Sequence, residues 1–352
     1  MSENSDRKTD HLELCISGDV GFRRTNLLEQ VTLLHNSLPE LSCEEIDTAT
    51  RVAELQLRSP LMIASMTGGN SKAGNVNREL AKVAEAGGYA FGLGSCRPMV
   101  KSGKLDREVA RSFQMRDIAP TTKIFANLGV VQAAATPSEL VEEMLQLVDA
   151  SALFLHMNPA QELIQPEGDR DFRGCLDGVA RLVSELSVPV IVKETGCGIS
   201  AATATRLAQV GVRHVDVSGA GGTSWVGVEA RRASGGQRES GELFWNWGVP
   251  TAASLLQIQE AKFDTVIATG GVSNGLGVAH AIALGAHAAG MARPVLQALD
   301  QGGVDGALGL LRQVEADLRM AMLLTGSKNL AALRKAPRVI GQELRCWQPG
   351  TR

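Results

Sequence analysis

Aromatic side chains are scarce in this sequence. They make up 4% of the 352 residues, and Tyr89 is the single tyrosine. A positive charge excess is also missing, because the formal net charge is −3. Stacking platforms for single-stranded nucleic acid need aromatic rings, and binding to phosphate backbones or anionic membranes needs basic surfaces. The composition therefore argues against a nucleic-acid partner and against a membrane-surface partner.

Cysteine pairs at metal or redox spacing are absent as well. The sequence contains no Cys-x-x-Cys and no His-Glu-x-x-His motif among its six cysteines, Cys15, Cys43, Cys96, Cys175, Cys197 and Cys346. Without a disulfide framework, a reduced cytoplasmic location is the simplest expectation. The start MSENSDRKTDH lacks an apolar signal core, which argues against export.

One long stretch, Thr265–Ala292, has no Asp, Glu, Lys or Arg. A membrane span is one interpretation of it. However, six glycines, two histidines, an asparagine and a serine interrupt the stretch. We therefore interpret it as a strand, a phosphate-binding loop and a helix rather than as a membrane helix.

Glycine is abundant, with 38 residues, and it clusters after short apolar runs. This is typical of strands whose carboxyl ends carry binding loops. The β-like runs are eight in number and alternate with helix-like stretches; they span residues 61–66, 89–95, 123–129, 152–158, 189–195, 214–220, 264–270 and 287–293. This alternation predicts an α/β fold of the (β/α)8 TIM-barrel type, with a doubly wound sheet as the alternative.

The flanking regions complete the predicted organisation. Residues 1–60 are expected to form an N-terminal arm and lead-in segment, with a polar, mobile part over Asp6–Phe22. Residues 61–352 are expected to form one barrel domain with a C-terminal helical extension. Asp169–Gly174 and Glu229–Glu242 are expected to be charged loops that act as lids over the mouth.

The segment HMNPAQE (156–162) places a polar cluster at the end of the fourth run. His156 and Asn158 share one face of a strand, with Gln161 and Glu162 in the loop that follows. A satisfied core histidine is the simpler alternative for His156 alone. Glu162 beside uncharged donors suits Mg²⁺, which prefers oxygen ligands and keeps several waters.

Glycine-rich ends after the sixth, seventh and eighth runs predict a phosphate site. They read SGAGGTSW (218–225), ATGGVSNG (268–275) and GMARP (290–294). Gly270 and Gly271 allow close backbone approach to an anion, and Gly275 begins a helix whose positive end would face it. Tight turns needed only for packing are the alternative.

Three further cations are candidate site residues. Lys193 follows an apolar run and shares a face with Ile191 and Thr195, so it is expected to point inward. There it would stabilise negative charge or act as a Schiff-base lysine; the alternative is an ion pair with Glu194 or with an acidic residue of a helix. The arm carries the other two, Arg7 and Lys8, and a basic pair can clamp a diphosphate or remain a solvated patch.

Taken together, the motifs RKTDH (7–11), SMTGGN (65–70), GSCR (94–97), HMNPAQE, VKETGCG (192–198) and SGAGGTSW resemble those of the type 2 isopentenyl diphosphate isomerases. LLHNSLPEL (33–41) and AMLLTGSKNLAALRKAP (321–337) extend this resemblance over nearly the whole chain. The resemblance implies a flavin-mononucleotide (FMN) barrel enzyme that interconverts isopentenyl and dimethylallyl diphosphate. It also implies Mg²⁺, reduction of the flavin by NADPH without net redox change, and a homotetramer or homo-octamer whose arm reaches a neighbouring subunit.

The resemblance also assigns roles to individual residues. Gln161 would take part in proton transfer and Glu162 would bind Mg²⁺. The diphosphate and the rest of the substrate would contact Arg7, Lys8, His11, Ser95, Cys96, Arg97, His156, Asn158, Gln161 and Trp225. The flavin and its phosphate would contact Ala64, Ser65, Met66, Thr67, Ser95, Asn127, Lys193, Ser218, Thr223, Gly270, Gly271, Ser273, Ala292 and Arg293.

This chemistry explains the cluster in HMNPAQE. Moving a double bond requires a proton to be added at one carbon and removed at another, so no serine or cysteine nucleophile is needed. The sequence departs from the family at Cys96, where glutamine is usual, at Thr195, where valine is usual, and at Ser273, near which arginine is common.

Two other functions remain open at this stage. A flavin-dependent 2-hydroxy-acid oxidase would need a His-Gly-x-Arg motif and catalytic tyrosines, yet no histidine here precedes glycine. A flavin-binding protein that has lost turnover is the second, motivated by Cys96 and Ser273.

Overall fold

The computed structural model describes residues 3–101 and 103–349, with side chains from Lys8 onward. Its centre is a closed barrel of eight parallel strands. The strands of the chain, in order, are β1 (Val31–Leu33), β2 (Thr50–Val52), β3 (Leu55–Leu57), β4 (Leu61–Ile63), β5 (Ala90–Gly92), β6 (Val100–Lys101), β7 (Lys104–Leu105), β8 (Ile124–Gly129), β9 (Ala152–Met157), β10 (Val190–Glu194), β11 (His214–Asp216), β12 (Thr265–Ala268), β13 (Ala288–Met291) and β14 (Arg338–Ile340).

The barrel closes in the order β10-β11-β12-β13-β4-β5-β8-β9. All eight predicted runs are barrel strands, so the predicted (β/α)8 fold is confirmed and the doubly wound alternative is wrong. The helices are α1 (Glu3–Ser17), α2 (Ser71–Gly87), α3 (Arg107–Ala110), α4 (Val130–Ala135), α5 (Ser138–Leu147), α6 (Pro159–Ile164), α7 (Cys175–Glu185), α8 (Ala201–Gln209), α9 (Trp225–Arg232), α10 (Gly235–Leu243), α11 (Thr251–Gln257), α12 (Gly275–Ala283), α13 (Arg293–Leu324), α14 (Leu330–Lys335) and α15 (Gln342–Arg345).

Apolar side chains fill the barrel interior below the mouth. Phe125 and Phe154 meet edge to face with ring centroids 5.3 Å apart, and Ile191 and Ile267 pack beside them. The β2–β3 hairpin covers the amino-terminal end, where the backbone N–H of Ala53 donates to Thr265 Oγ1 at 2.9 Å. With this end packed shut, ligands can enter only at the carboxyl ends of the strands.

One expectation for the loops is wrong. Glu229–Glu242 is not a charged loop but spans α9 and α10, since the Ser224 hydroxyl accepts from Gly227 N and starts α9. In the predicted arm, Glu3–Ser17 forms α1. Leu12 and Cys15, three residues apart, are buried beside Leu296 of the same chain, and this apolar face holds α1 on its own barrel.

The uncharged stretch from Thr265 to Ala292 forms β12, α12 and β13, as its glycines indicated. Within residues 3–101 and 103–349, no helix is both long and apolar enough to span a bilayer.

Candidate active site

A cavity of about 640 Å³ opens at the carboxyl ends of the barrel strands. This volume lies in the range of small-molecule sites. Most of the predicted site residues line it. They are Lys8, His11, Ala64, Ser65, Met66, Thr67, Ser95, Arg97, Asn127, His156, Asn158, Gln161, Glu162, Lys193, Ser218, Thr223, Trp225, Gly270, Gly271, Ser273, Ala292 and Arg293.

Two predicted contact residues are not in this set. Cys96 is fully buried, and its Sγ lies 3.6 Å from the carbonyl oxygen of Gly94, so the thiol packs into the core and not into the cavity. The expected substrate contact at Cys96 is therefore not supported by the structure. Arg7 lies in α1, but its side chain is outside the described part of the chain.

Lys193 points into the barrel, as its shared face with Ile191 predicted. Its Nζ lies 2.8 Å from Asp216 Oδ2 and donates to Thr269 Oγ1 at 3.2 Å. The expected alternative, a pair with Glu194, is wrong, because Glu194 Oε2 accepts the backbone N–H groups of Thr195 and Cys197 at 2.5 Å. The ammonium group is therefore occupied by an ion pair and a hydrogen bond, which argues against a Schiff-base role.

His156 lies beside Lys193 on the neighbouring strand, in direct register. Burial, together with the cations of Lys193 and Arg97, lowers the pKa of His156 to about 4. The imidazole is therefore neutral at pH 7. Nδ1 lies 2.7 Å from Asn127 Oδ1, which can only accept, so Nδ1 carries the proton and Nε2 is left as an acceptor.

Gln161 and Glu162 lie in the first turn of α6 and not in a loop as expected. Pro159 near the start of the helix explains this, since its fixed φ suits a helical N-terminus. The Asn158 amide donates to Gln161 Oε1 at 3.2 Å and to Glu162 Oε1 at 2.8 Å. Glu162 Oε2 accepts the backbone N–H of Asp169 at 2.8 Å, so both carboxylate oxygens are held in place.

Glu229 is a site residue that the sequence analysis missed, because the segment was expected to be a lid. Its side chain is fully buried, and Oε1 accepts from Gln161 Nε2 at 2.9 Å. His11 Nε2 also lies 2.9 Å from Oε1, and Arg232 Nη1 lies 2.7 Å from Oε2. Burial raises the pKa of Glu229, but the hydrogen bonds from His11, Gln161 and Arg232 outweigh it and bring the pKa to about 2. A fixed negative charge therefore faces Gln161.

The helix α1 covers the mouth of the barrel from above. Arg293 donates from Nε to Cys15 O at 2.9 Å and from Nη2 to Gly18 O at 2.6 Å, and Gln297 donates to Ile16 O at 2.9 Å. Arg293 thus lines the cavity while its guanidinium holds the end of α1. The expectation that the arm reaches a neighbouring subunit stays a prediction.

The cavity has features that suit a flavin. Gly270 and Gly271 have φ values of 99° and 75°, and a Cβ on Gly271 would lie 2.5 Å from Gly221 O. The two glycine-rich loops therefore approach each other so closely that a side chain at Gly271 would push them apart. Ser65 and Thr195 line the cavity with buried hydroxyls that have no hydrogen-bond partner within the described residues. These two hydroxyls can therefore hydrogen-bond a ligand in the cavity.

The cavity offers few side chains that could bind a metal ion. In the described part of the chain no group of three His, Cys, Asp or Glu side chains could hold a metal ion. Glu162 is the acidic residue among those lining the cavity. One carboxylate suits Mg²⁺ only when the substrate supplies further oxygen ligands.

The position of Tyr89 bears on the oxidase alternative. Tyr89 is buried between the barrel and its helices, and its hydroxyl donates to Glu315 on α13 at 3.2 Å. It is not among the residues that line the cavity. The chain therefore has no tyrosine at the place where a 2-hydroxy-acid oxidase would need one.

Solved structures with a similar fold are flavin oxidases. A lactate oxidase of Pediococcus acidilactici is 17% identical with a TM-score of 0.67, covering 96% of this chain and 93% of its own. A mandelate oxidase with an FMN adduct is 17% identical with a TM-score of 0.62, covering 96% and 99%. At this identity the likeness concerns the fold.

Sequence comparisons are more specific. Residues 123–339 match the FMN-dependent dehydrogenase family. An isopentenyl-diphosphate delta-isomerase of Halobacterium salinarum is 43% identical over 344 residues, covering 96% of this chain and 94% of the relative. Those of Metallosphaera sedula and Methanothermobacter thermautotrophicus are 42% and 41% identical, covering 97% and 96% of this chain and 94% and 93% of the relatives. The chain belongs to the isopentenyl-diphosphate delta-isomerase family, within the FMN-dependent dehydrogenases.

Proposed function

We propose that this protein interconverts isopentenyl diphosphate and dimethylallyl diphosphate, with reduced FMN and Mg²⁺. The observation that carries the proposal is Gln161, held between Asn158 and the buried carboxylate of Glu229 at the wall of a flavin-sized cavity. An amide fixed in this way can orient a substrate carbon and stabilise charge near it. A serine or cysteine nucleophile is not required for a shift of a double bond.

The flavin is proposed to lie against the loops after β11, β12 and β13, with Lys193 beside its ring. Ser65 and Thr195 would supply hydrogen bonds from hydroxyls that lack partners. When bound and reduced, the flavin would supply an acid–base group next to the substrate. NADPH is the proposed reductant, although the isomerisation itself needs no net electron transfer.

The diphosphate is proposed to lie at the outer part of the cavity. Lys8 and Arg97 reach the cavity from α1 and from the segment after β5, and Arg7 is proposed to join them. Arg97 Nη1 lies 3.7 Å from Asp169 Oδ2, a separation that a bound phosphate group can compete with. Glu162 would help to hold Mg²⁺, which would offset the negative charge of the diphosphate.

His156 and Asn158 are proposed to contact the hydrocarbon part of the substrate. Because His156 is neutral at pH 7, it adds no positive charge that would oppose protonation of the substrate. Trp225 lies edge to face with His11, with ring centroids 5.2 Å apart, and this pair would cover the substrate from the side of α1.

We also propose that the protein forms a homotetramer or homo-octamer, which light scattering would test.

The direct test is an anaerobic assay with isopentenyl diphosphate, FMN and Mg²⁺. Dimethylallyl diphosphate is expected when the flavin is reduced by NADPH or dithionite, and not when it stays oxidised. Stoichiometric FMN binding without product under reducing conditions would instead favour a flavin-binding protein that has lost turnover.

A further inference from the structure

Asp216 is a buried carboxylate to which the proposed chemistry gives no role. It lies at the end of β11 and its side chain is fully buried. Replacing a buried ion pair by apolar side chains is often neutral or stabilising. The layer below it is filled by Phe125, Phe154 and Ile191 without any charge. Packing of the barrel therefore does not explain why a carboxylate stands here.

The orientation of this carboxylate is fixed by its neighbours. Asp216 Oδ1 accepts from the hydroxyl of Thr269 at 2.8 Å, from the backbone N–H of Thr269 at 3.2 Å and from that of Ser218 at 3.1 Å. These donors occupy one oxygen and turn the other, Oδ2, toward Lys193 Nζ at 2.8 Å. The position of the ammonium group is thus set by Asp216.

Both groups that Asp216 holds belong to the proposed flavin site. Lys193 and Asp216 are paired across β10 and β11 in register. Ser218 begins the glycine-rich loop and has a φ of 35°, a left-handed conformation that a serine adopts only when it is held there. The hydrogen bond from Ser218 N to the carboxylate provides such a hold. One side chain therefore connects the cation at the floor of the cavity to the loop at its side.

We propose that Asp216 is a positioning residue that orients Lys193 and offsets its charge, and so sets how strongly the protein favours reduced over oxidised FMN. The inference rests on the proposed placement of the flavin beside Lys193. Reduction adds negative charge to the flavin ring, and a cation nearby stabilises that charge. The negative charge of Asp216 weakens this stabilisation, because the Lys193–Asp216 pair carries no net charge.

The test is the midpoint potential of bound FMN in the Asp216→Asn variant, with the FMN content of each sample measured alongside. Asparagine keeps the shape and one acceptor while removing the negative charge. The ratio of reduced to oxidised FMN affinity is expected to rise roughly tenfold or more, which corresponds to about 30 mV for a two-electron couple. Asp264→Asn is the matched control, because Asp264 pairs with Arg213 at the surface, at 2.6 Å, and its loss should leave the potential unchanged.

Asp216→Asn leaves Lys193 without its counter-charge and could fail to fold. The double variant Lys193→Met/Asp216→Asn contains neither charge and avoids that problem. Lys193→Met alone is expected to lower the potential, and the double variant is expected to lie between the two single variants. If only the double variant folds, a potential close to that of the wild type is expected, because the two removed charges cancel.

Three results would overturn the proposal. They are an unchanged potential in Asp216→Asn with full FMN occupancy, a lowered potential in that variant, or a double variant that shifts as far as Lys193→Met. A wild-type protein that does not bind FMN would instead reject the proposed flavin site itself. The two failures are therefore distinguishable.

Discussion

The side-chain amide of Gln161 donates to the buried carboxylate of Glu229 across 2.9 Å. Because Asn158 donates to Gln161 Oε1 from the other side, the amide has a single orientation. His11 of α1 lies 2.9 Å from the same carboxylate oxygen. Closure of the mouth by α1 and the orientation of Gln161 are therefore coupled through one side chain.

Shortening Gln161 should remove most of the isomerisation and leave the flavin bound. Asparagine at this position lacks one methylene, so its amide cannot span Asn158 and Glu229 together. We expect Gln161→Asn to lower kcat on the order of 10²-fold, the scale for loss of an acid–base participant. Steady-state assays under reducing conditions measure this, with FMN absorbance as the binding check. Gln313→Asn, at an exposed position of α13, is the control, and near-normal turnover of Gln161→Asn would exclude Gln161 from proton transfer.

Removing the charge of Glu162 should raise the Mg²⁺ requirement. Glu162→Gln keeps the acceptor for Asn158 but weakens metal binding, and we expect roughly tenfold more Mg²⁺ at half-maximal activity. Titration of activity against Mg²⁺ at saturating substrate measures this. Glu139→Gln on α5, an exposed position, should leave the titration unchanged. If both variants match the wild type, the metal is held by the diphosphate or by other residues.

The neutral form of His156 should make stability depend on pH in a defined window. The pKa of His156 is lowered from 6.5 to about 4 in the folded protein, chiefly by burial. Between these values the unfolded chain takes up the proton first, so the free energy of unfolding falls as the pH drops from 6.5 to 4. This contribution is at most on the order of 3 kcal/mol.

The variant His156→Gln lacks this titration. We expect its free energy of unfolding to fall less between pH 7 and pH 4.5 than that of the wild type, as measured by denaturant unfolding at both values. His35→Gln, at an exposed position, should behave like the wild type. Equal losses in His156→Gln and the wild type would mean that His156 is not the group responsible.

Alanine substitution should raise KM at Arg97 but not at its neighbour Cys96. Cys96→Ala should leave KM unchanged and cost on the order of 1 kcal/mol in stability, since the thiol packs in the core. Arg97→Ala should raise KM roughly tenfold or more, because its guanidinium faces the proposed diphosphate position. Steady-state kinetics and thermal unfolding of both variants decide this. A raised KM in Cys96→Ala would restore the substrate contact that the sequence predicts.

The eight barrel strands could be predicted because each is a short apolar run that ends in glycine or a polar residue. Lys193 could be placed inward because the alternation of side chains on a strand is fixed. Its partner could not be predicted, since Asp216 lies 23 residues further on and only the register of β10 and β11 brings the two together.

The arm and Glu229 show where sequence patterns fail. The run Asp6–Phe22 is polar on most faces, and the apolar contact of α1 comes from Leu12 and Cys15, with Leu14 and Ile16 partly buried beside them. Glu229 stands among charged residues, in a segment predicted to be a charged loop. Arg232 is three residues away on α9, but His11 and Gln161 come from distant parts of the chain, so the local sequence does not mark Glu229 as a site residue.

The lid of the cavity is the first helix of the chain, and the arginine that holds it follows the last barrel strand. Arg293 and Cys15 are 278 residues apart. During synthesis the ribosome must therefore produce the whole barrel before the lid finds its anchor. A nascent chain that stops before β13 lacks Arg293 and Leu296, which hold α1, and also lacks the last glycine-rich loop. Acquisition of the cofactor is thus expected to be a late, post-translational event.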